Sequence, residues 1–500
     1  MSIVLELFFC LCSQDIATVL VNLWFVILPV LAVSPIIGMV AAGDHSGGCA
    51  CSSCGGEGDA GGELRDIEPL KRRVAELESM SVRSIEQSEE LADIFGELAT
   101  IAYDEGQDLE TIVMLLNRAE QVLKNTLAQG EETEIRRKLG NVYLHRAVAY
   151  NDYDDLDHAI ESYNIAFATL KPLDDSGDGE AKYDIAGIQL NRGTIYHEKG
   201  DFQKAKTDFD ESFLAFRAVE KISDLDTRYF MAKVSVAQGT LFRDMEEPLD
   251  KVVDAYNRAM RLLVELIDIG QMEHERELAN VLMDRCTATY ESYQDFEFES
   301  ETERLNKIGD VLIDVGRGIE ILDRIVNAEP QFENRVDLFN AVTTEGSILL
   351  DIGKFAEAIK AFDRAINEFG DFATVNDPIL LLYFASALSN RSLCYASIEK
   401  YDEAIESSDR CIKIIERLQQ DESLGLEENE KEDFQLHALH IYANRSRIFV
   451  LIGDKKTASK YYEEGLRVIE KLRETLGEDI DYIAELYVML RKQIDSLPNK

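Results

Sequence analysis

The sequence predicts an all-α protein, a solenoid of about eight helix–turn–helix units with a C-terminal capping helix. Three observations predict it. A spacing of small residue, aromatic, Gly, aromatic and Ala returns about every 46 residues down the chain. The clearest copies are Gly193, Tyr196, Gly200, Phe202, Ala205, Phe209, Ser212 and Gly346, Leu349, Gly353, Phe355, Ala358, Phe362, Ala365. Prolines number only 8 in 500 residues, and the β-branched signal is weak, so long stretches are free to be helical. Finally, Ile480, Ile483, Tyr487, Leu490 and Ile494 form one apolar stripe after the last unit, suited to covering an exposed end face.

Five segments follow from this reading. Residues 1–43 are a hydrophobic segment, 44–63 a Gly/Cys-rich linker, 64–92 a charged lead-in helix, 93–472 the repeat array, and 473–500 the capping helix and tail. From Ile16 to Gly43 there is no Asp, Glu, Lys, Arg or His. As a helix this run is long enough to span the roughly 30 Å hydrocarbon core, so a single N-terminal membrane anchor is expected. Arg65, Lys71, Arg72 and Arg73 then hold the carboxyl-terminal side in the cytoplasm. Two alternatives stand beside it. Val40-Ala41-Ala42 offers the small residues of a signal-peptide cleavage site, which would export the chain. A translation start at Met39 would instead leave the protein soluble.

The linker holds His45, Cys49, Cys51 and Cys54, a donor set that suits a soft tetrahedral metal or a redox role. The plainer reading is a flexible tether, and no metal or cofactor is expected. In the lead-in, Leu70, Val74, Leu77 and Ile85 share a stripe interrupted by Ser81, Ser84 and Ser88.

In the array, each unit carries a small or apolar anchor in its first helix and a second about twelve residues on. First-helix anchors fall at Thr100, Ala147, Gly193, Gly239, Cys286, Gly346, Ser392 and Ser446. Second-helix anchors fall at Ile112, Ala159, Ala205, Val252, Leu312, Ala358, Ala404 and Ala458. Small residues suit these positions because paired helices approach closely there. Cys286, Cys394 and Cys411 occupy such places and read as reduced core thiols. Two acidic insertions, around 293–303 and 421–433, belong on the surface.

With these residues the array resembles the tetratricopeptide-repeat family over roughly 93–472, with the strongest likeness at 186–219, 339–372, 385–418 and 439–472. The family's usual Trp is missing, since Trp24 is the sole tryptophan, and the units are longer than the family's 34 residues. The resemblance implies a right-handed superhelix whose first helices line a concave groove. It also assigns partner contact to the Asn that precedes an Arg and the small anchor, here Asn191, Asn390 and Asn444. In the family such an Asn hydrogen-bonds the backbone of an extended peptide. The competing reading is an Asn that bonds to neighbouring helices. The stretch 388–412 resembles the chaperone-binding subset, which makes a peptide-binding co-chaperone an alternative, but the basic clamp residues are replaced by Asn340, Thr344, His440 and Asn444.

Asp and Glu total 95 against 52 Lys and Arg, a net charge of −43. That field repels phosphate backbones, which disfavours nucleic acid and favours a basic protein or peptide partner. The sequence has no phosphate-cradling Gly loop, no GxSxG and no HExxH, and its 7 His are dispersed. Neither catalysis nor a small-molecule substrate is expected. The functional expectation is a non-catalytic, membrane-tethered protein–protein interaction scaffold.

Overall fold

The computed structural model describes residues 67–498, apart from 129–132, 220–223, 294–297, 299, 370–376, 421–427 and 477–480. The segment 1–43 and the linker with Cys49, Cys51 and Cys54 lie outside the described residues. Every regular element among the described residues is helical. Two compact units divide the described chain between His274 and Glu275.

The first unit begins with α1 (Glu68–Ser79), which packs on α2 (Ile85–Asp104). The lead-in expected as one helix over 64–92 is thus two. Met80 at the end of α1 is extended, and Ser84 forms a capping box with Gln87 that starts the next helix. Four antiparallel hairpins follow: α2 with α3 (Leu109–Leu127), α4 (Thr133–Asp152) with α5 (Leu156–Asp175), α6 (Gly179–Glu198) with α7 (Phe202–Val219), and α8 (Asp224–Asp244) with α9 (Leu249–Asp268).

The second unit repeats the plan. Its hairpins are α10 (Glu275–Ser292) with α11 (Glu301–Ala328), α12 (Phe332–Asp351) with α13 (Phe355–Phe369), α14 (Pro378–Ser397) with α15 (Tyr401–Gln420), and α16 (Glu428–Ile452) with α17 (Lys455–Leu476). The capping helix α18 (Asp481–Ser496) packs on α16 and α17. Its Tyr487 is buried, and the hydroxyl donates to the Leu439 carbonyl at 2.9 Å. Gly465 makes room for that ring: a Cβ there would collide with it. Both acidic insertions are partly helical, because α11 starts at Glu301 and α16 at Glu428.

The hairpin turns share one geometry. Backbone N–H groups of Gln107, Asp155, Asp201, Glu247, Lys354, Lys400 and Asp454 each donate, at 2.8–2.9 Å, to a carbonyl five residues earlier. This closure needs a left-handed residue just before the donor. Gly106, Gly200, Gly353 and Gly453 fill that place in four turns, and Asp154, Glu246 and Glu399 in three.

Turn length sets the register. Three-residue turns put the anchors twelve apart, as in Ala147 and Ala159; the four-residue turns before α3 and α9 put them thirteen apart. For that reason the first anchor is Ala99, which is buried, while Thr100 is rotated out to solvent. In the fifth hairpin the insertion hides the register, and the buried anchor is Val311, not the half-buried Leu312. Cys286 donates to the Val311 carbonyl at 3.7 Å.

Close approach explains the glycines. A Cβ on Gly193 would come within 2.7 Å of the Phe209 ring, and one on Gly346 within 2.8 Å of Phe362. Both rings are fully buried, each stabilising its hairpin by about 2–3 kcal/mol. Cys286, Cys394 and Cys411 are buried free thiols, and burial pushes the Cys286 thiol up to about 12.

Candidate partner-binding face

Consecutive first helices touch each other within each unit: α2 with α4 and α6 with α8, then α10 with α12, α12 with α14 and α14 with α16. They therefore form the inner side of each stack. The Asn-Arg pairs sit on these helices, and the two residues of each pair do different jobs.

The arginines are structural. Arg192 reaches back to Asn164 on α5 at 2.7 Å and forward to both oxygens of Asp208 on α7 at 2.7 and 2.6 Å. Arg391 likewise joins Asp363 on α13 at 2.7 Å to Ser407 on α15 at 3.1 Å. Arg445 bonds Ser408 and Asp409 on α15. The same position carries Arg146, which bonds Asn117 and Glu120 on α3 and Ser162 on α5. In the fourth hairpin it is Gln238, which donates to Asp210 on α7 and accepts from Arg258 on α9. Arg146, Arg192, Gln238 and Arg391 thus each tie a first helix to the second helices on either side of it, while the bonds of Arg445 go to α15 alone.

The asparagines turn the other way, toward neighbouring first helices. Asn390 donates to Ser347 on α12 at 3.4 Å, and Asn444 donates to Ser389 on α14 at 3.1 Å. Both are almost completely buried. Asn191 lies in the other unit and is only half-buried, so the structure brings Asn390 and Asn444 together but not Asn191.

Around Asn390 and Asn444 lies a polar seam that the sequence reading left unassembled. It includes Asn340, Thr343, Thr344 and Ser347 on α12, Ser386 and Ser389 on α14, and His437 and His440 on α16, all buried. Ser386 bonds His437 Nδ1 at 2.9 Å, Thr344 donates to the Asn340 carbonyl at 2.9 Å, and Tyr290 on α10 donates to Asp351 at the end of α12. Burial depresses both imidazoles, His437 to about 4 and His440 to about 3, and raises the Asp351 carboxyl to about 7. Four buried oxygens of the seam meet no hydrogen-bonding partner: Asn340 Oδ1, Thr343 Oγ1, Asp351 Oδ1 and Asn444 Oδ1. The sequence did carry a signal for this seam. Between Pro378 and Asn390 there is no charged residue, only apolar residues, Ser and the Asn itself.

No group of His, Cys, Asp and Glu among the described residues is placed to hold a metal. No described helix is long and apolar enough to cross a membrane.

Residues 186–215 and 385–417 match the tetratricopeptide repeat family. The first segment spans most of α6 and α7, and the second most of α14 and α15. No curated protein matches the sequence significantly. Solved structures align with the chain at low identity. Aspartyl phosphate phosphatase F from Bacillus subtilis aligns with 84% of this chain and 96% of its own at 12% identity and a TM-score of 0.42. BtubC (BKLC) from P. vanneervenii aligns with 53% of this chain and 92% of its own at 20% identity and 0.41. A Rap protein complexed with competence and sporulation factor aligns with 86% of this chain and 99% of its own at 14% identity and 0.37.

Proposed function

We propose that this chain is a non-catalytic protein–protein interaction scaffold whose partner segment is held by the inner, first-helix side of residues 275–498. The observation that carries the reading is the buried polar seam with its unmatched oxygens. Native interiors leave few polar atoms unpaired, and those that remain ask for a function. An extended segment laid along the first helices offers main-chain N–H groups at a regular repeat, and amide and hydroxyl side chains are suited to receive them. Asn390 and Asn444 take part in this reading as residues that set the spacing of the helices and present the seam.

The test is capture of binding proteins by the full chain, followed by cross-linking and mass spectrometry. Cross-links that fall on α12, α14 and α16, and that are lost with Asn444→Ala, support the reading. Cross-links confined to the outer second helices, with undiminished capture by the variant, remove it.

Membrane tethering by the uncharged run 16–43 belongs to the same proposal, and it rests on composition. Alkali-resistant pelleting of the full-length chain at its full mass is the expected result. Release into the alkaline supernatant would discard the tether and leave the scaffold reading untouched.

A further inference from the structure

Helix α11, with 28 residues, is the longest among the described residues, about 42 Å from end to end. One side of it closes the fifth hairpin through Ile308, Val311, Val315, Ile319 and Leu322, all buried. The other side faces solvent. There Asn306, Gly309, Ile313, Gly316 and Glu320 follow at intervals of 3, 4, 3 and 4, the spacing that holds residues on one stripe of a helix. Ile313, at the centre of the stripe, is 58% exposed, more than any other large apolar residue in a described helix.

The charges that border this stripe are ordered. Lys307, Asp310, Arg317 and Glu320 are all exposed, and their signs cancel on a chain whose net charge is −43. Lys307, Asp310 and Glu320 meet no ion-pair partner among the described residues, and Arg317 reaches only Asp314 on its own helix, at 3.1 Å. Lys307 and Glu320 lie equally far from the midpoint between Ile313 and Asp314, and so do Asp310 and Arg317. A second α11 turned end for end about that midpoint therefore sets every cation against an anion. Lys307 of one copy stands opposite Glu320 of the other, and Asp310 opposite Arg317, each pair formed twice by the two-fold symmetry. A parallel copy in register would instead oppose like charges. Farther out, Asp323 and Arg324 already bond Arg364 and Glu275, so the inner four residues set the register.

The two glycines fit the same contact. A Cβ on Gly309 or Gly316 would meet nothing within 4 Å, whereas one on Gly193, Gly239, Gly346 or Gly465 would collide with a buried ring. The hairpin itself does not require either of the α11 glycines, and glycine weakens a helix interior relative to alanine. On an outer face, a missing side chain lets the axis of a neighbouring helix come close.

We infer that the exposed face of α11 binds the same face of a second copy of this chain, antiparallel, with Ile313 at the centre and the two charge pairs fixing orientation. The contact is independent of the partner face on the first helices. One helix laid on another buries less surface than the roughly 1,200–2,000 Å² of a stable complex, so the self-association is weak and reversible.

Sedimentation equilibrium of the full chain, in a density-matched mild detergent, tests this across concentrations that bracket a Kd on the order of 10 µM. Asp310→Lys alone and Arg317→Glu alone should each weaken the dimer about tenfold, because each creates two like-charge contacts. The double variant should regain most of the affinity. An equimolar mixture of the two single variants should pair as well as the unaltered chain, since each supplies the charge that the other needs. Gly309→Gln with Gly316→Gln should raise the melting temperature of the dilute chain while weakening its association, opposite signs that loss of fold could not produce. A chain that stays monomeric throughout the series would overturn the inference. So would a dimer indifferent to the single charge reversals, which would place the contact elsewhere, or reversals that neither the double variant nor the mixture repairs.

Discussion

The inner sides of the two units are built on one frame and are closed to different extents. In residues 68–274 the first helices present Asn141 and His145 on α4, Asn191 on α6 and Lys233 on α8, all only half-buried, and Thr194 on α6, which is exposed. In residues 275–498 the corresponding stretches are closed: every residue from Leu380 to Asn390 on α14 and from His437 to Phe449 on α16 is buried. The anchors, the turns and the arginine ties are alike, so they do not decide the matter. Side-chain size and charge do. Ser, Thr, Ala and Asn along α12 and α14 let adjacent first helices settle together, whereas the longer Lys138 on α4 reaches across to Asp93 on α2 and stays partly exposed. An inner face can therefore be switched between open and closed by a few substitutions that leave the hairpins intact.

The largest expected effect separates the units by their arginine ties. The Arg192 and Asp208 side chains are 13% and 6% exposed, so Arg192→Met strands a buried carboxylate. A loss of roughly 3 kcal/mol in denaturant unfolding is expected. Asp363, the partner of Arg391, is 41% exposed and can turn to water, and Arg391→Met should cost about 1 kcal/mol. Equal losses would show that the two ties are equally embedded.

Next comes pH. His437 and His440 are held neutral in the folded chain but protonate at their ordinary value when unfolded. The unfolded state then binds more protons between about pH 6.5 and 4, and stability must fall as pH falls through that window. Asp351 acts in the opposite sense: its raised carboxyl holds a proton up to about 7, so its share of stability is lost as pH rises from about 4 to 7. Two imidazoles outweigh one carboxyl. Thermal unfolding of residues 275–498, followed by hydrogen exchange, should weaken from pH 6.5 to 5, and His437→Gln with His440→Gln should flatten or reverse that slope. Residues 68–274 have no matching buried pair. A slope unchanged by the double substitution would mean that the imidazoles are hydrated.

The smallest effect should be the same in both units. Glu246 and Glu399 hold the left-handed turn position that Gly fills elsewhere. Replacing either by Gly should stabilise its hairpin by about 0.5–1 kcal/mol in thermal melts, through relief of strain offset in part by chain entropy. Destabilisation at one site alone would show that its side chain makes contacts worth keeping.

The hairpin count, the turns and the core thiols were legible in the sequence because a small residue, a ring near sixteen positions on and a left-handed Gly recur with fixed spacing. The errors at Thr100 and Leu312 came from turns of unequal length, which shift a helix by about 100° for each added residue. The arginine ties were readable in principle, since Arg192 and Asp208 stand at the same separation as Arg391 and Ser407. The closed seam was not. It depends on how tightly successive first helices approach, and an Asn facing a groove and an Asn stitching two helices look the same in one sequence. The division at His274 also leaves no local mark, because the frame continues through it.

Between Ile67 and His274 there is no cysteine, whereas Cys286, Cys394 and Cys411 lie in the other unit, each shielded from solvent. A thiol reacts as its thiolate, and burial suppresses that form here. Labelling by an alkylating reagent would therefore proceed only as fast as the surrounding hairpins breathe. With the five cysteines before residue 67 replaced, the chain would carry three internal clocks, all reporting on the half whose inner side is shut.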